Sequence, residues 1–555
     1  MKQTMRTAIA GIRSGRLRIA LLAGAASVAL AAGASAGSLQ DTVRAAVASN
    51  PDVDVVRADR LAVDQELRQA RAGYLPSVDL EGSTGPEYRN YYYDRNGRDS
   101  SKDDDSIELR SEAQLKVTQR LWDGDEVRSE VERQKARVNS ATYRVDEAAE
   151  FVALDAVEAH LDVLRNQEIV RLNDANLTAH RRILGQVQEL ERGGGGDIAD
   201  VEQTQARIAQ ADATLAAARG SLADAAAAYE RAVGEPPAAL SLEPPPLGDV
   251  PATSDAAADA ASVESPTVQI AASDVDVAAA ELRGTRANFY PHFNFEAGGS
   301  VGDNVDGEEG STVDGQALLV MRYNLYRGGA DIAREREAFH RVNESRAGLE
   351  QARRKAAQEA RVSFNALETA RARTVALRAK AEAQRRTRDA YAQQFEIGQR
   401  DLLDVLDAEN ELFLARVGLV TAEYNERFAV YRLLAVTGDL LGTLGVAAPR
   451  EATTITRTPA DEQTPAAILD KAKPLTDPRA EPRPLRGEAA GEPPPMAPTE
   501  EAMVEPPSSL AGAVGGGSGA ALGFAAGPDA SGAGDIGAMT SEQFFAAIRA
   551  AYGAR

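Results

Sequence analysis

Two hydrophobic periods alternate along this chain, and the alternation happens twice. Val131, Val138, Val145 and Val152 recur every seven residues. Further on, Val342, Leu349, Ala356, Ala370 and Leu377 share one heptad phase, with Ser363 between them. Sustained seven-residue spacing predicts a coiled-coil-like seam. Residues 38–73 and 125–192 are rich in Ala, Glu, Arg, Gln and Leu and carry no proline after Pro51, which suits helix. At 1.5 Å per residue, about 65 residues of unbroken helix would reach about 100 Å. That is the length of a strut in an elongated body, with small seam residues permitting close helix approach and the charged remainder solvated.

Two segments per copy change period. In Ser106–Leu121 the residues Ile107, Leu109, Ala113, Leu115 and Val117 alternate with Glu108, Arg110, Glu112, Gln114, Lys116 and Thr118. Period two with one apolar and one polar face predicts a strand. Phe293, Phe295, Ala297 and Val301 alternate in the same way with His292, Asn294, Glu296 and Ser300. Val313, Ala317, Leu319, Met321 and Tyr323 follow less cleanly, because Leu318 and Val320 fall on the polar face, and Val78–Tyr88 has the weakest pattern. Polar loops, Arg89–Asp105 and Gly302–Thr312, join each strand pair.

The order of elements is duplicated. Pro51 and Pro76 are 25 positions apart, as are Pro266 and Pro291. Leu121-Trp122-Asp123-Gly124 is echoed by Leu325-Tyr326-Arg327-Gly328, Asp197–Val201 by Asp401–Val405, and Gly234 by Gly438, all at an offset of 204. The Pro76/Pro291 offset is 215, so the first copy holds 11 extra residues between its strands. A fixed offset over this length marks a duplicated unit. The expected organisation is residues 1–36 as a signal peptide, 37–234 and 254–446 as the two repeats, 235–253 as a Pro-rich crossover linker, and 447–555 as an extension.

The signal peptide rests on Lys2, Arg6, Arg13, Arg16 and Arg18, an apolar stretch from Ile19 to Ala32, and the small residues Ala34-Ser35-Ala36. A membrane anchor is the alternative, disfavoured by a short, Ala/Gly-rich apolar stretch. The chain carries 62 Lys+Arg against 84 Asp+Glu, a net of −22, which becomes −27 when the five basic residues of the leader are removed. Phosphate neutralisation by so acidic a chain is unfavourable, so nucleic acid is not an expected partner. A conduit preferring cations would suit it. There are no cysteines, hence no disulfide framework.

Strands of ~10 to 13 residues match the tilted strands of an outer-membrane barrel, and the helical framework offers no second sheet to cover their apolar face. Tyr74, Trp122, Tyr290 and Tyr326 sit where helix meets strand, either as an interfacial girdle or as packing at the junction. Four strands cannot close a barrel, and an open edge is not tolerated in lipid, so the chain is expected to oligomerise. Strand arithmetic alone leaves dimer, trimer and tetramer open.

At the opposite end of the long helices, Glu191-Arg192-Gly193-Gly194-Gly195-Gly196-Asp197 and Glu396-Ile397-Gly398-Gln399-Arg400-Asp401 form matching turns. Gly193, Gly196 and Gly398 suit helix ends, and Asp197 and Asp401 suit the following N-caps. The four-glycine run lacks the Gly-Lys-Ser/Thr of a phosphate loop. Asp200 and Asp404 stand three residues past those caps, where a capping-box acid is also possible; Asp407 lies one turn further along the face of Asp404. His160, His180, His292 and His340 are scattered without metal-ligand spacing, so no enzyme, metal or cofactor is expected.

The ordered set of Asn50-Pro51, Ala70-Arg71 through Tyr74-Leu75-Pro76, the duplicated helix–strand–strand–helix order and Gly398-Gln399-Arg400-Asp401-Leu402-Leu403-Asp404-Val405-Leu406-Asp407 resembles the TolC family of outer-membrane channels, over roughly residues 38–445. The resemblance implies a mainly α protein with membrane β: a homotrimer with a 12-stranded outer-membrane β-barrel, four strands per chain, continued by a long periplasmic α-helical barrel that opens like an iris. It implies an export duct in the outer membrane of a Gram-negative cell, docking with a periplasmic adaptor and an inner-membrane ABC transporter or other pump. Type I protein secretion is favoured by the Asn50-Pro51 to Pro76 segment, with multidrug or small-molecule efflux as the alternative and a coiled-coil stalk or adhesin behind it. By the same resemblance Asp404 and Asp407 would ring the periplasmic aperture, and Arg400 and Asp200 would latch it. Phe395 stands where the family has a tyrosine, and Ala199 where it has a threonine, which removes two hydroxyl partners. The turn glycines would lie near the adaptor contact. The Pro/Ala/Gly-rich extension reads as mostly disordered, ending in a short amphipathic helix over Ser541–Tyr552.

Overall fold

A computed structural model describes residues 37–89, 106–305, 310–453 and 465–475. The leader, the Tyr91-Tyr92-Tyr93 loop and the Ser541–Tyr552 helix lie outside the described residues.

The first repeat runs α1 (Leu39–Ser49), α2 (Pro51–Ala72), β1 (Ser77–Arg89), β2 (Ser106–Trp122), α3 (Glu126–Arg192) and α4 (Ile198–Val233). The second runs α5 (Ser254–Glu264), α6 (Pro266–Thr285), β3 (His292–Asp303), β4 (Ser311–Arg322), α7 (Ala330–Glu396) and α8 (Leu402–Thr437). The short α9 (Leu440–Thr443) and α10 (Pro465–Lys471) follow. Helices α3 and α7 have 67 residues each and α4 and α8 have 36 each, so the duplication extends to element length. Each 67-residue helix is about 100 Å long. In each copy a short helix pair packs beside one part of the long helix and a 36-residue helix beside the rest.

Local chemistry sets the boundaries. Asn50 ends α1 and caps α2, its side chain accepting from Asp52 N–H at 2.9 Å, and Pro51 and Pro266 occupy first helical turns where a missing N–H costs nothing. Asp123 Oδ2 accepts from Val127 N–H at 2.9 Å and starts α3. Gly234 and Gly438 end α4 and α8 with φ of 90° and 86°, a left-handed conformation open to glycine. A Cβ on Gly438 would lie 2.8 Å from Pro266 Cδ, so the end of α8 and the start of α6 touch only because that residue is glycine.

The heptad seam is real in α3, where Val131, Val138, Val145 and Val152 are all buried. In α7 it changes phase. Val342, Leu349, Ala356 and Ser363 are buried, but burial then passes to Leu367, Thr374 and Ala381, not to Ala370 and Leu377. The four-residue step falls where α7 exchanges α5 and α6 for α8 as its neighbour: Arg353 and Arg361 reach Ser262 and Asp255, whereas Thr374 and Arg378 reach Ala422 and Glu423. A four-residue insertion in a heptad rotates the buried face toward the new partner.

The strands form one antiparallel sheet in the order β1-β2-β3-β4. The register aligns Val78 with Val117, Leu80 with Leu115, Ala113 with Val301, Phe295 with Leu319 and Val301 with Val313, so the apolar residues share one face. That face is bare: Leu80, Ile107 and Val313 are 77%, 74% and 78% exposed. The other face carries the ion pairs Lys116–Glu296 (3.0 Å) and Arg322–Glu296 (2.8 Å). Sequence alternation ended β2 at Leu121, but the strand continues through a bulge to Trp122, which pairs with Phe293. The extra residue re-aims Trp122 onto the apolar face, where it meets Phe293 and, edge-on at 5.9 Å, Tyr290.

The largest core lies midway along the long helices, where α1, α4, α5, α8 and α9 end against α3 and α7; it includes Leu154, Leu349, Leu367, Leu433 and Leu440. Glu150 and His160 are among the polar groups buried there. Glu150 accepts from Leu441 N–H at 3.2 Å, and burial pushes its carboxyl up to about 8. His160 contacts Thr42 Oγ1 (2.9 Å) and Ser241 carbonyl oxygen (3.0 Å), and burial lowers its pKa. This network pins the crossover linker, which also bridges Leu240 to Gly37. The extension is anchored at its start: Arg57 pairs with Glu451 (3.0 Å), Ile468 is fully buried, and Lys471 pairs with Asp276 (2.6 Å).

Candidate functional site at the helical tip

The α3–α4 and α7–α8 turns lie together at the end of the molecule away from the sheet. Gly194 and Gly398 adopt φ of 78° and 75°, and a Cβ on Gly196 would come within 2.9 Å of Glu191 N, so these turns depend on glycine. Beneath them Ile183, Val187, Val201, Leu402, Val405 and Leu406 form a small core joining the two hairpins. Phe395 packs against this core. The aromatic at that position therefore works as an apolar anchor of the hairpin within the chain.

Asp404 and Asp407 project from α8 with their side chains 44% and 54% exposed, on the side away from buried Leu402, Val405 and Leu406. Each has a basic partner. Arg400 Nη1 donates to Asp404 Oδ2 at 3.2 Å, and Arg207 Nη2 donates to Asp407 Oδ1 at 2.8 Å. Arg400 also donates from Nε to Gln394 Oε1 at 3.1 Å and lies 4.1 Å over the Tyr391 ring.

Among the described residues no ion pair joins Arg400 to Asp200 within the chain; from the turn, the guanidinium reaches Asp404 in the first turn of α8 and Gln394 in α7. Asp197 caps α4 through a bond from Ala199 N–H at 3.1 Å, whereas Asp401 makes no side-chain cap bond. Asp404 is occupied by Arg400 and not by a capping box. Tyr391, Gln394 and Arg207 went unnoticed in the sequence. Arg207 was detectable: its helical neighbours Gln203, Thr204, Gln210 and Ala211 include no acid, so a pairing partner must come from another helix.

At the other end Tyr74, Trp122, Tyr290 and Tyr326 are all at least 42% exposed, and of these Trp122 and Tyr290 meet edge to face. Among the described residues no helix is long and apolar enough to cross a membrane, and no group of three or more His, Cys, Asp or Glu is placed to hold a metal ion.

Two strand pairs set into a helical framework about 100 Å long and joined as one bare-faced antiparallel sheet define a protomer of an outer-membrane channel. The family model described as "Outer membrane efflux protein" matches residues 42–235 and 257–439, and the chain belongs to that family. It is 25% identical over 421 residues to the outer membrane protein TolC of Escherichia coli, covering 73% of this chain and 83% of that protein. It is 27% identical over 431 residues to the alkaline protease secretion protein AprF of Pseudomonas aeruginosa, covering 76% and 88%. Among solved structures, the outer membrane protein VceC of Vibrio cholerae matches with a TM-score of 0.60 at 16% identity, covering 74% of this chain and 97% of that one. The fold is thus that of the trimeric TolC-like channels, a membrane β-barrel continued by a periplasmic α-helical barrel, and the protein is an outer-membrane export channel and not an enzyme.

Proposed function

We propose that three copies of this chain close one 12-stranded barrel and form a duct for type I protein secretion, docking through the α3–α4 and α7–α8 turns with a periplasmic adaptor and an inner-membrane ABC transporter. The observation that carries the reading is the sheet: β1 and β4 are its outer strands, and its apolar face is uncovered within the chain. Lipid can accept that face, but only a closed set of strands satisfies both edges. Secretion is favoured over small-molecule efflux by the likeness to a protein named for alkaline protease secretion and by the Asn50-Pro51 to Tyr74-Leu75-Pro76 segment.

In this reading Asp404 and Asp407 from three chains place six carboxylates around the periplasmic aperture, and Arg400 governs its opening. Tyr74, Trp122, Tyr290 and Tyr326 sit at the membrane interface. Native mass spectrometry of the detergent-solubilised protein tests the assembly, with a trimer expected and a monodisperse monomer with intact β signal contradicting it. Deleting the gene separates the two cargo classes. Loss of specific proteins from the culture medium at unchanged drug susceptibility supports secretion; increased drug susceptibility with an unchanged medium supports efflux.

A further inference from the structure

Close to the sheet the shorter helices sit between the long ones. Within the chain α6 packs against both α3 and α7, whereas α2 packs against α3 and, among the described residues, carries no long helix on its other side. The duplication maps α2 onto α6 at an offset of 215 and α3 onto α7 at 204. A closed ring of chains therefore sets the free side of α2 against α7 of the next chain, in the position that α6 takes against α3.

Within the chain that position is held by an ion pair, Arg283 with Glu132 at 2.9 Å, and by Ser140 Oγ donating to Asp274 at 3.0 Å further along the same two helices. The counterparts of Arg283 and Glu132 between chains are Arg68 and Arg336, so two bases meet where the first seam has a base and an acid. Arg286 pairs with Glu335 at 3.2 Å, but its counterpart Arg71 finds Val131 in place of that acid. Arg68, Arg71 and Arg336 are exposed, and among the described residues none of them has an ion pair; Arg68 donates to Gln65 Oε1 at 3.3 Å. The bases nearer the sheet are committed, Arg120 to Asp123, Arg322 to Glu296 and Arg327 to Asp331.

We infer that each seam between chains, where Arg68 and Arg71 of one chain face Arg336 of the next, binds the phosphate headgroup of an anionic phospholipid in the periplasmic leaflet of the outer membrane. The site rests on three chains closing one barrel. Like charges packed together are unfavourable, and a phosphate between guanidiniums replaces that repulsion with charge-assisted, bidentate hydrogen bonds. The depth fits a lipid. Arg71 and Arg68 stand three and six residues before the exposed Tyr74, about 5 and 9 Å along a helix. The headgroup layer beyond the hydrocarbon is about 5–7 Å deep, and arginine stems extend toward it. Above them Leu75 and Leu325 are 66% and 83% exposed and lead onto the bare face of the sheet, which accepts the acyl chains. Basic pockets between chains at this depth suit anionic headgroups in general.

The test uses the full-length channel in detergent, stripped of co-purifying lipid. Phosphatidylglycerol, phosphatidylcholine or inorganic phosphate is added, bound lipid is counted by native mass spectrometry, and the melting temperature of the trimer is read in parallel. Phosphatidylglycerol should stay bound, up to one per seam, and raise the melting temperature; phosphatidylcholine and phosphate should do neither. In R336E lipid occupancy should fall about tenfold or more, through loss of charge-assisted bonds to phosphate. The lipid-free R336E trimer should nonetheless melt at or above the wild-type temperature, because the new acid closes the seam with Arg68 as Glu132 does with Arg283. Arg71→Gln should lower occupancy without stabilising the lipid-free trimer. Equal retention of the two lipids, stabilisation by phosphate alone equal to that by phosphatidylglycerol, or unchanged occupancy in R336E or R71Q overturns the inference with the trimer intact. Absence of any trimer, with or without lipid, overturns the assembly on which the site rests.

Discussion

Arg400 and Asp404 are joined across the first turn of α8 at 3.2 Å, with the guanidinium seated 4.1 Å over Tyr391. An arginine held by an acid, an amide and an aromatic face has a preferred resting place, and leaving it has a cost. Replacing Arg400 with Ser should leave assembly intact, since neither side chain is buried, and should raise single-channel conductance. Tyr391→Ala should raise it less, because a cation–π contact at a partly exposed site contributes about 0.5–1 kcal/mol. Unchanged conductance in both variants would remove Arg400 from the gate.

Glu150 makes stability depend on pH. Its carboxyl is 2% exposed and titrates at about 8, against 4.5 in the unfolded chain. The folded state therefore holds a proton that the unfolded state has lost, and stability falls as pH rises from about 4.5 through about 8. Glu150→Gln keeps the neutral shape and removes the titration. Its melting temperature should match wild type near pH 5 and exceed it near pH 8, by an amount on the order of 3 kcal/mol in stability. Thermal unfolding at the two pH values measures it; a constant difference would contradict the assignment.

His160 acts in the opposite direction. Burial lowers its pKa, so the unfolded state binds the extra proton first, and stability is lost as pH falls below the ordinary histidine value of 6.5. Protonation would also place N–H on both ring nitrogens, so that Thr42 Oγ1 must accept from Nδ1–H and turn its own O–H elsewhere, toward the Tyr229 hydroxyl at 3.1 Å. Protection of the Gly37 and Ser241 amides, with exchange corrected for its intrinsic pH dependence, should be lower at pH 5 than at pH 7, by more than in the middle of α3, and His160→Gln should flatten that difference.

Gly438→Ala and Gly418→Ala separate backbone demand from composition. Gly438 has φ of 86° and Pro266 Cδ 2.8 Å from the position of a Cβ, so alanine should cost about 1–2 kcal/mol or more. Gly418 lies inside α8 with nothing within 4 Å of its Cβ position, so alanine should stabilise by about 0.5–1 kcal/mol. Opposite changes in melting temperature are expected.

Elements with a long period were legible in the sequence; their relative rotations were not. The duplicated lengths of α3, α4, α7 and α8 follow from glycines at matching places, Gly194 and Gly398 at the tip and Gly234 and Gly438 at the far ends, because helix ends are local chemistry. The phase step between Ser363 and Leu367 was hidden, since it depends on which helix α7 faces. The bulge at Leu121 was hidden for the same reason: period two continues through the letters, while pairing with Phe293 decides where Trp122 points. At the tip, Asp404 and Asp407 could be chosen by pattern. The pairings themselves could not: Arg207 shows in the sequence only as a base with no acid at helical spacing, and its bond to Asp407 spans 200 residues, while the bond from Arg400 to Asp404 depends on the fold of the turn.

In the proposed trimer Asp404 and Asp407 line the conducting aperture. Carboxylates contributed by three chains to one constriction attract multivalent cations most strongly, because several acids can share one ion. The direct measurement is block by a trivalent metal–ammine complex added on the periplasmic side of channels in planar bilayers. Block should be stronger in Arg400→Ser than in wild type, since that change frees Asp404, and it should be almost lost in Asp404→Asn with Asp407→Asn at unchanged thermal stability. Block of wild-type strength in the double variant would place Asp404 and Asp407 away from the conducting path.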